Sequence, residues 1–328
     1  MTGDTAQPML SHGKAVPWLG PPSGMPIPNR LNIALVAGTV TAAVSLLYLA
    51  SHVEQAWAVF IVGIVYSYVM LTGYALMHEA THGNLHSSQR WNYWLGVAAG
   101  TFFPVPFSMV RTTHQGHHLR NRTDFEMFDL YYPGDNRLVK YAQWYSILCG
   151  LFWPIVPLGA VLTAIWPGLL QLRPFQRARS SSYLVGDIHA SDLRMIRGEV
   201  VLIVALFAAL FYLLDLRWIP TLVLYACFAV NWSTRQYVGH AFSHRHVIDG
   251  AWNLKHNRLM SWILLHGEYD LNHHRRPDVP WYYLPTLSPR DEPRVSYFRQ
   301  YWRLWGGPRP NAEPAPEALA DLPLSVHP

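Results

Sequence analysis

The stretch HEATHGNLH, residues 78–86, sets His78, His82 and His86 four residues apart, with Glu79 directly after the first. On a helix, His78 and His82 stand one turn apart with β-carbons roughly 5–6 Å from each other, so both rings can reach one metal ion. The opening five letters also match the H-E-x-x-H pattern of zinc proteases, where Glu79 would be the general base beside a metal-bound water. His86 continues the stripe, but Gly83 can end the helix first, which leaves His86 an outer position at most. A second array, HQGHH, places His114, His117 and His118 on one helix face, and its adjacent rings can serve two neighbouring metals. In the third, QYVGHAFSHRH, His240 follows Gln236 by about one turn, while His244 and His246 beside Arg245 read as solvent-facing. The fourth, HGEYDLNHHRRP, carries Asp270, His273 and His274 as D-x-x-H-H, with His266 upstream as a spare ligand or a substrate-side residue.

Eight of the seventeen histidines thus fall into ligand-spaced positions, and catalytic zinc needs only about three protein ligands. Imidazole suits zinc, copper, iron and nickel alike, so ligand type does not name the metal, but ligand number favours two ions. A pair of irons sharing these rings could activate O2, the protein supplying orientation and a dry channel for an apolar substrate. The two cysteines, Cys149 and Cys227, sit inside apolar runs. They make neither a disulfide framework nor an iron–sulfur module, which takes about four cysteine ligands.

The elements that must position these arrays read as membrane helices. Apolar residues make up 51% of the chain and charged residues 14%, well under the roughly 25% charged residues of soluble domains. Residues 31–50 and 56–77 are each about long enough to span a bilayer and are joined through SHVEQ as a hairpin; 199–214 and 218–238, split by DLR, form a second. Residues 91–110 contain Pro104 and Pro106, and residues 141–170 contain Pro154 and Pro157; both segments are expected to dip and return or to lie along the interface. Arg173, Arg177, Arg179, Arg194 and Arg197 mark the following loop as cytoplasmic. The net charge of +5 fits loops facing anionic lipid. The arginines form no single stripe, so no nucleic-acid partner is expected.

The expected fold is all-α and integral to the membrane. It has four transmembrane helices in two hairpins, with re-entrant or interfacial helices and a cytosolic cap holding a histidine-rich dimetal site. Residues 1–29 read as a disordered cytosolic tail without a cleavable signal peptide. Residues 30–290 form the membrane domain, and 291–328 a Pro- and Arg-rich cytosolic tail. The site and both termini then share the cytosolic side.

In order along the chain, HEATH, HQGHH and DLNHH resemble the three histidine boxes of the membrane fatty acid desaturase and hydroxylase superfamily. HHLRNRTDFE, GAWNL and HHRRPDVPWYYLP are similar to its bacterial members, including acyl-lipid desaturases and carotenoid ketolases. The resemblance, over about residues 30–290, implies a bacterial inner-membrane enzyme with a non-haem centre of two irons. It also implies O2 as co-substrate, a fatty acid or acyl substrate, and an external electron donor such as ferredoxin with its reductase. The implied ligands are His78, His82, His114, His117, His118, His240, His273 and His274. Gln236 stands where stearoyl-CoA desaturase has an asparagine that holds a metal-bound water. Asp270 departs from the pattern, since relatives carry His or Gln there. It is expected to bind iron directly, or else to orient a ligand histidine through its ring N–H.

The implied reaction abstracts hydrogen from an unactivated C–H bond. Desaturation comes first; hydroxylation, decarboxylation to a terminal alkene, and carotenoid-type ketolation or hydroxylation need the same ligands. A protease of one zinc would leave the last three arrays without a role. A non-catalytic metal carrier would string its ligands along a pore.

Overall fold

A computed structural model describes residues 24–168, 188, 190–289 and 291–319. Most of the expected N-terminal tail, the far C-terminus, and Arg173, Arg177 and Arg179 lie outside the described residues. The described chain is mostly helical, with two short parallel strand pairs and no closed sheet.

Helices α1 (Asn29–His52) and α2 (Ala56–Thr81) form the expected hairpin. With the later α7 (Ala190–Leu213) they are long and apolar enough to cross a membrane. Their outward faces carry large exposed apolar side chains, among them Trp57, Phe60 and Ile61. Such faces suit lipid, because a spanning helix satisfies every backbone group internally.

The segment with Pro104 and Pro106 breaks between two helices. It forms α3 (Gln89–Thr101) and α4 (Phe107–Arg120), both packed on α2. The buried Glu199 of α7 pins this turn: its carboxylate accepts the Ser108 N–H and hydroxyl and the Tyr93 hydroxyl, at 2.7–2.9 Å.

The described part of residues 141–170 lies in a bent pair, α5 (Arg137–Leu148) and α6 (Phe152–Ile165), turned by 97°. Gly150 permits the bend, with φ +86°; a β-carbon there would also meet the Val230 backbone at 2.8 Å. Counted as one span, this pair would be a fourth. Helix α8 (Trp218–Gln236), read from sequence as a span, packs along α2 and α1. It is not among the three apolar enough to qualify, because Asn231, Ser233, Thr234, Arg235 and Gln236 make its last turns polar. Among the described residues, three to four candidate spans result.

A layer of short elements follows α8: α9 (Arg258–Ile263), α10 (Asp270–Arg275), a 3-10 turn (Trp281–Leu287) and α11 (Tyr297–Leu304). The stretch expected as a C-terminal tail folds back onto this layer. Strand β3 (Val295–Ser296) pairs with β2 (Leu254–Lys255), and β4 (Arg309–Pro310) pairs with β1 (Leu130–Tyr131). The Trp144 indole donates to the Leu304 carbonyl at 2.8 Å. A second apolar cluster around Trp144, Tyr237 and Leu304 holds the layer together, beside the larger core between the long helices.

Candidate metal centre

The helices that carry or lead into the histidines bring their C-terminal ends to one place. His78 and His82 close α2; His114, His117 and His118 fill the last two turns of α4; His240 follows α8 by four residues. Helix C-termini carry partial negative charge and favour a cation nearby. His273 and His274 on the short α10 complete the array.

The rings fall into two sets. One ligand nitrogen from each of His78, His82, His114 and His273 lies within 4.8 Å of the others, and the same holds for His117, His240 and His274. His118 stands between the sets: its Nε2 is 3.1 Å from that of His114 and 3.1 Å from that of His273, and its ring centroid is 4.4 Å from that of His274. The Nε2 atoms of His82 and His114 approach to 2.8 Å, and those of His117 and His274 to 3.3 Å. Two nitrogens bound at right angles to one ion at about 2.1 Å would lie about 3.0 Å apart, so these spacings match shared ligation. The Nε2 atoms of His118 and His273, and of His117 and His274, also face each other directly, lone pair towards lone pair for neutral rings. A cation is the partner such a donor set lacks.

Electrostatics points the same way. Burial pushes the pKa of His82, His114, His118, His273 and His274 well below the ordinary imidazole value, and the neighbouring rings push it further. These rings are neutral, the form that offers a lone pair to a metal. For His240 burial again lowers the value, and Asp270 partly opposes it. His117 runs the other way. Burial lowers its pKa, but the Glu126 carboxylate against its Nδ1 outweighs that and holds it raised.

The other sequence candidates divide. Asp270 borders the three-histidine set, with Oδ2 3.2 Å from His240 Nε2 and Oδ1 3.9 Å from His274 Nε2. A β-carbon on Gly239 would come within 2.3 Å of that Oδ2, so any other residue there would displace the carboxylate. Glu79 is buried and accepts the Trp281 N–H at 3.0 Å, with its other oxygen 3.9 Å from His78 Nδ1; it ties the 3-10 turn to α2. Gln236 accepts the Tyr74 hydroxyl at 3.0 Å and faces the cavity described below. His266 and His86 do not join either set. His266 has its Nδ1 3.6 Å from Glu268 and its ring beside Trp281. The His86 Nδ1 accepts the Ser88 N–H at 2.9 Å, because α2 has already ended at His82 and Gly83 turns the chain away at φ +78°.

Glu126 was not a sequence candidate. It lies nine residues beyond His117 in TDFE, and only its being a carboxylate soon after a histidine array could have marked it. Its loop is held from below. The Tyr237 hydroxyl donates to the Glu126 carbonyl at 2.7 Å and accepts from Arg122 Nη1 at 3.0 Å; Arg122 is in turn paired with Asp129 at 2.7 Å.

A cavity of about 480 Å³ opens onto His78, His114, His117, His240, His273 and His274. It is within the roughly 300–1,000 Å³ of small-molecule sites. Leu71, Phe103, Val105, Met109, Phe152 and Trp232 give it an apolar wall.

Residues 55–305 match the model of the fatty acid desaturase family. The chain belongs to that family. The match runs past residue 290 to the end of α11, in keeping with the packing of that segment. A stretch of 100 residues, 30% of this chain, is 25% identical to the sn-1 acyl-lipid omega-3 desaturase (ferredoxin) of Synechocystis sp.. The aligned part covers 24% of that relative's length. Over most of its length this chain is a fatty acid desaturase family member. With its candidate spans, it is an integral membrane protein.

Proposed function

We propose that this desaturase-family enzyme removes hydrogen from an unactivated C–H bond of a long acyl chain, desaturating it at a centre of two iron ions. The reading rests on one observation: eight imidazoles from four distant segments meet at the end of an apolar cavity. His78, His82, His114 and His273 would hold one ion and His117, His240 and His274 the other, with His118 placed to serve either. When bound, the pair supplies O2-dependent redox chemistry, with electrons from an external donor such as the ferredoxin named for the Synechocystis relative.

The chain's own groups do the rest. Asp270, beside His240, adds a carboxylate to the second set, as a ligand or by orienting that ring. Glu126 takes up His117 Nδ1 and so leaves Nε2 for the ion. Tyr74 and Gln236 hold each other against the cavity wall, which keeps water from an apolar chain. Glu79, engaged by the Trp281 amide, is not poised as the base of a one-zinc protease. The location that follows is a bacterial inner membrane, with the site and both termini in the cytosol.

Two results are expected. Expression in a lipid-producing host supplied with free fatty acids should yield an internal alkene by mass spectrometry. An alcohol or a volatile terminal alkene would shift the reaction to the related oxidations, and no oxidised product from iron-loaded enzyme with reductant would refute the reading. Glu126→Gln should weaken metal binding by roughly 10–100-fold, as loss of a carboxylate behind a ligand histidine does. Chelator competition measures this directly, and an unchanged affinity would remove Glu126 from the site.

A further inference from the structure

Helix α11 carries a surface that the oxidation does not use. Tyr297, Gln300 and Leu304 turn inward and are buried, whereas Phe298 and Trp302, one turn apart, are 66% and 67% exposed. Trp305 adds a third outward aromatic ring; the exposed Arg299 follows Phe298, and the exposed Arg303 follows Trp302 and lies over the Phe242 ring at 4.9 Å. A water-facing tail would gain nothing from such a face, because contiguous exposed aromatics mark contact surfaces.

The attachments of α11 fix where this face lies. At one end the Arg235 guanidinium, in the last turn of α8, sits over the Tyr297 ring at 4.9 Å. At the other, Trp144 and Tyr145 of α5 donate to the Leu304 and Trp305 carbonyls at 2.8 and 3.0 Å. The helix therefore bridges the polar end of α8 and the bent pair. From α5 the exposed apolar surface continues onto α6 through Leu151, Ile155 and Leu158. Short α9 repeats the pattern beside α2: the Thr72 hydroxyl donates to the Ile263 carbonyl at 2.9 Å, and Leu259 and Trp262 are exposed. Tryptophan with flanking arginine is the composition of a bilayer headgroup layer, where the ring is half in hydrocarbon and the cation meets lipid phosphate.

We propose that α11 is an interfacial anchor whose Phe298, Trp302 and Trp305 lie in the headgroup layer of an anionic membrane, with Arg299 and Arg303 on its phosphates. Its inner residue Tyr297 lines the cavity. Docking therefore sets the cavity wall against the bilayer, and acyl substrate enters sideways from lipid. The entry route rests on the acyl-substrate reading above; the docking does not.

The test uses full-length protein in nanodiscs of phosphatidylcholine with or without phosphatidylglycerol. With Cys149 and Cys227 changed to serine, one cysteine is introduced by Trp302→Cys or, as a control in the tail, Glu313→Cys, and given an environment-sensitive dye. The label at 302 should emit to the blue of that at 313 and be quenched several-fold more by lipids with a shallow spin label. Arg299→Glu with Arg303→Glu should reduce that difference in the anionic discs. A label at 302 as wet as that at 313, or one shielded only when two chains share a disc, would overturn the docking. In a second arm, Phe298→Ser with Trp302→Ser should slow turnover of fatty acid supplied in the bilayer several-fold and leave turnover in detergent micelles unchanged. Equal slowing in both would overturn the entry route. Wild-type enzyme without any acyl turnover would sink the proposed function and leave the labelling result standing.

Discussion

His273→Ala should leave a folded membrane protein that has lost iron and more than about 100-fold of its turnover, beyond the 10–100-fold typical when only an outer hydrogen bond is removed. The ring stands among five others, 4.6 Å from His78 and 4.7 Å from His82 between centroids, with its Nε2 3.1 Å from that of His118. Its removal opens the four-histidine set on the side facing His118. His117→Ala should act on the other set and release the Glu126 carboxylate as well. Iron content by elemental analysis, beside product yield, separates loss of metal from loss of fold. A variant that keeps both iron and product would take its residue out of the centre.

The second large effect is on stability. Asp129→Ala should cost about 3–5 kcal/mol, the penalty for leaving one partner of a buried ion pair uncompensated. Asp129 and Arg122 are both fully buried and 2.7 Å apart, and the second Asp129 oxygen accepts the Phe242 N–H at 2.5 Å. The pair also grips Tyr237, which supports the Glu126 loop. Thermal unfolding in detergent should therefore show a much lower Tm, and metal should be lost before the spans unfold. Asp129→Ala with unchanged Tm would show that these bonds do not hold the Glu126 loop.

The histidines were legible because ligand spacing on a helix is local: His78 with His82, and His114 with His117 and His118, needed only the period of the α-helix. The first hairpin and the break at Pro104 were equally local, set by apolar length and by proline. What could not be read depends on which segments meet. Glu126 lies on a loop without periodicity, and its part emerges only when the Arg122–Asp129–Tyr237 lattice folds that loop against His117. The return of residues 291–319 rests on short strand pairs and on the Trp144–Leu304 bond, none of which leaves a pattern in composition. Helix α8 showed the limit of hydropathy, since its polar last turns belong to the cavity and to His240 rather than to lipid. His86 and His266 shared the residue type but not the direction, one lost to the turn at Gly83 and the other facing Glu268.

The convergence of the four arrays on two ions is tested most directly by anomalous diffraction from crystals of the iron-loaded protein at the iron absorption edge. Two peaks are expected, one among His78, His82, His114 and His273 and one among His117, His240 and His274. A single peak at HEATH that appears only at the zinc edge, or iron bound away from these rings, would contradict the account.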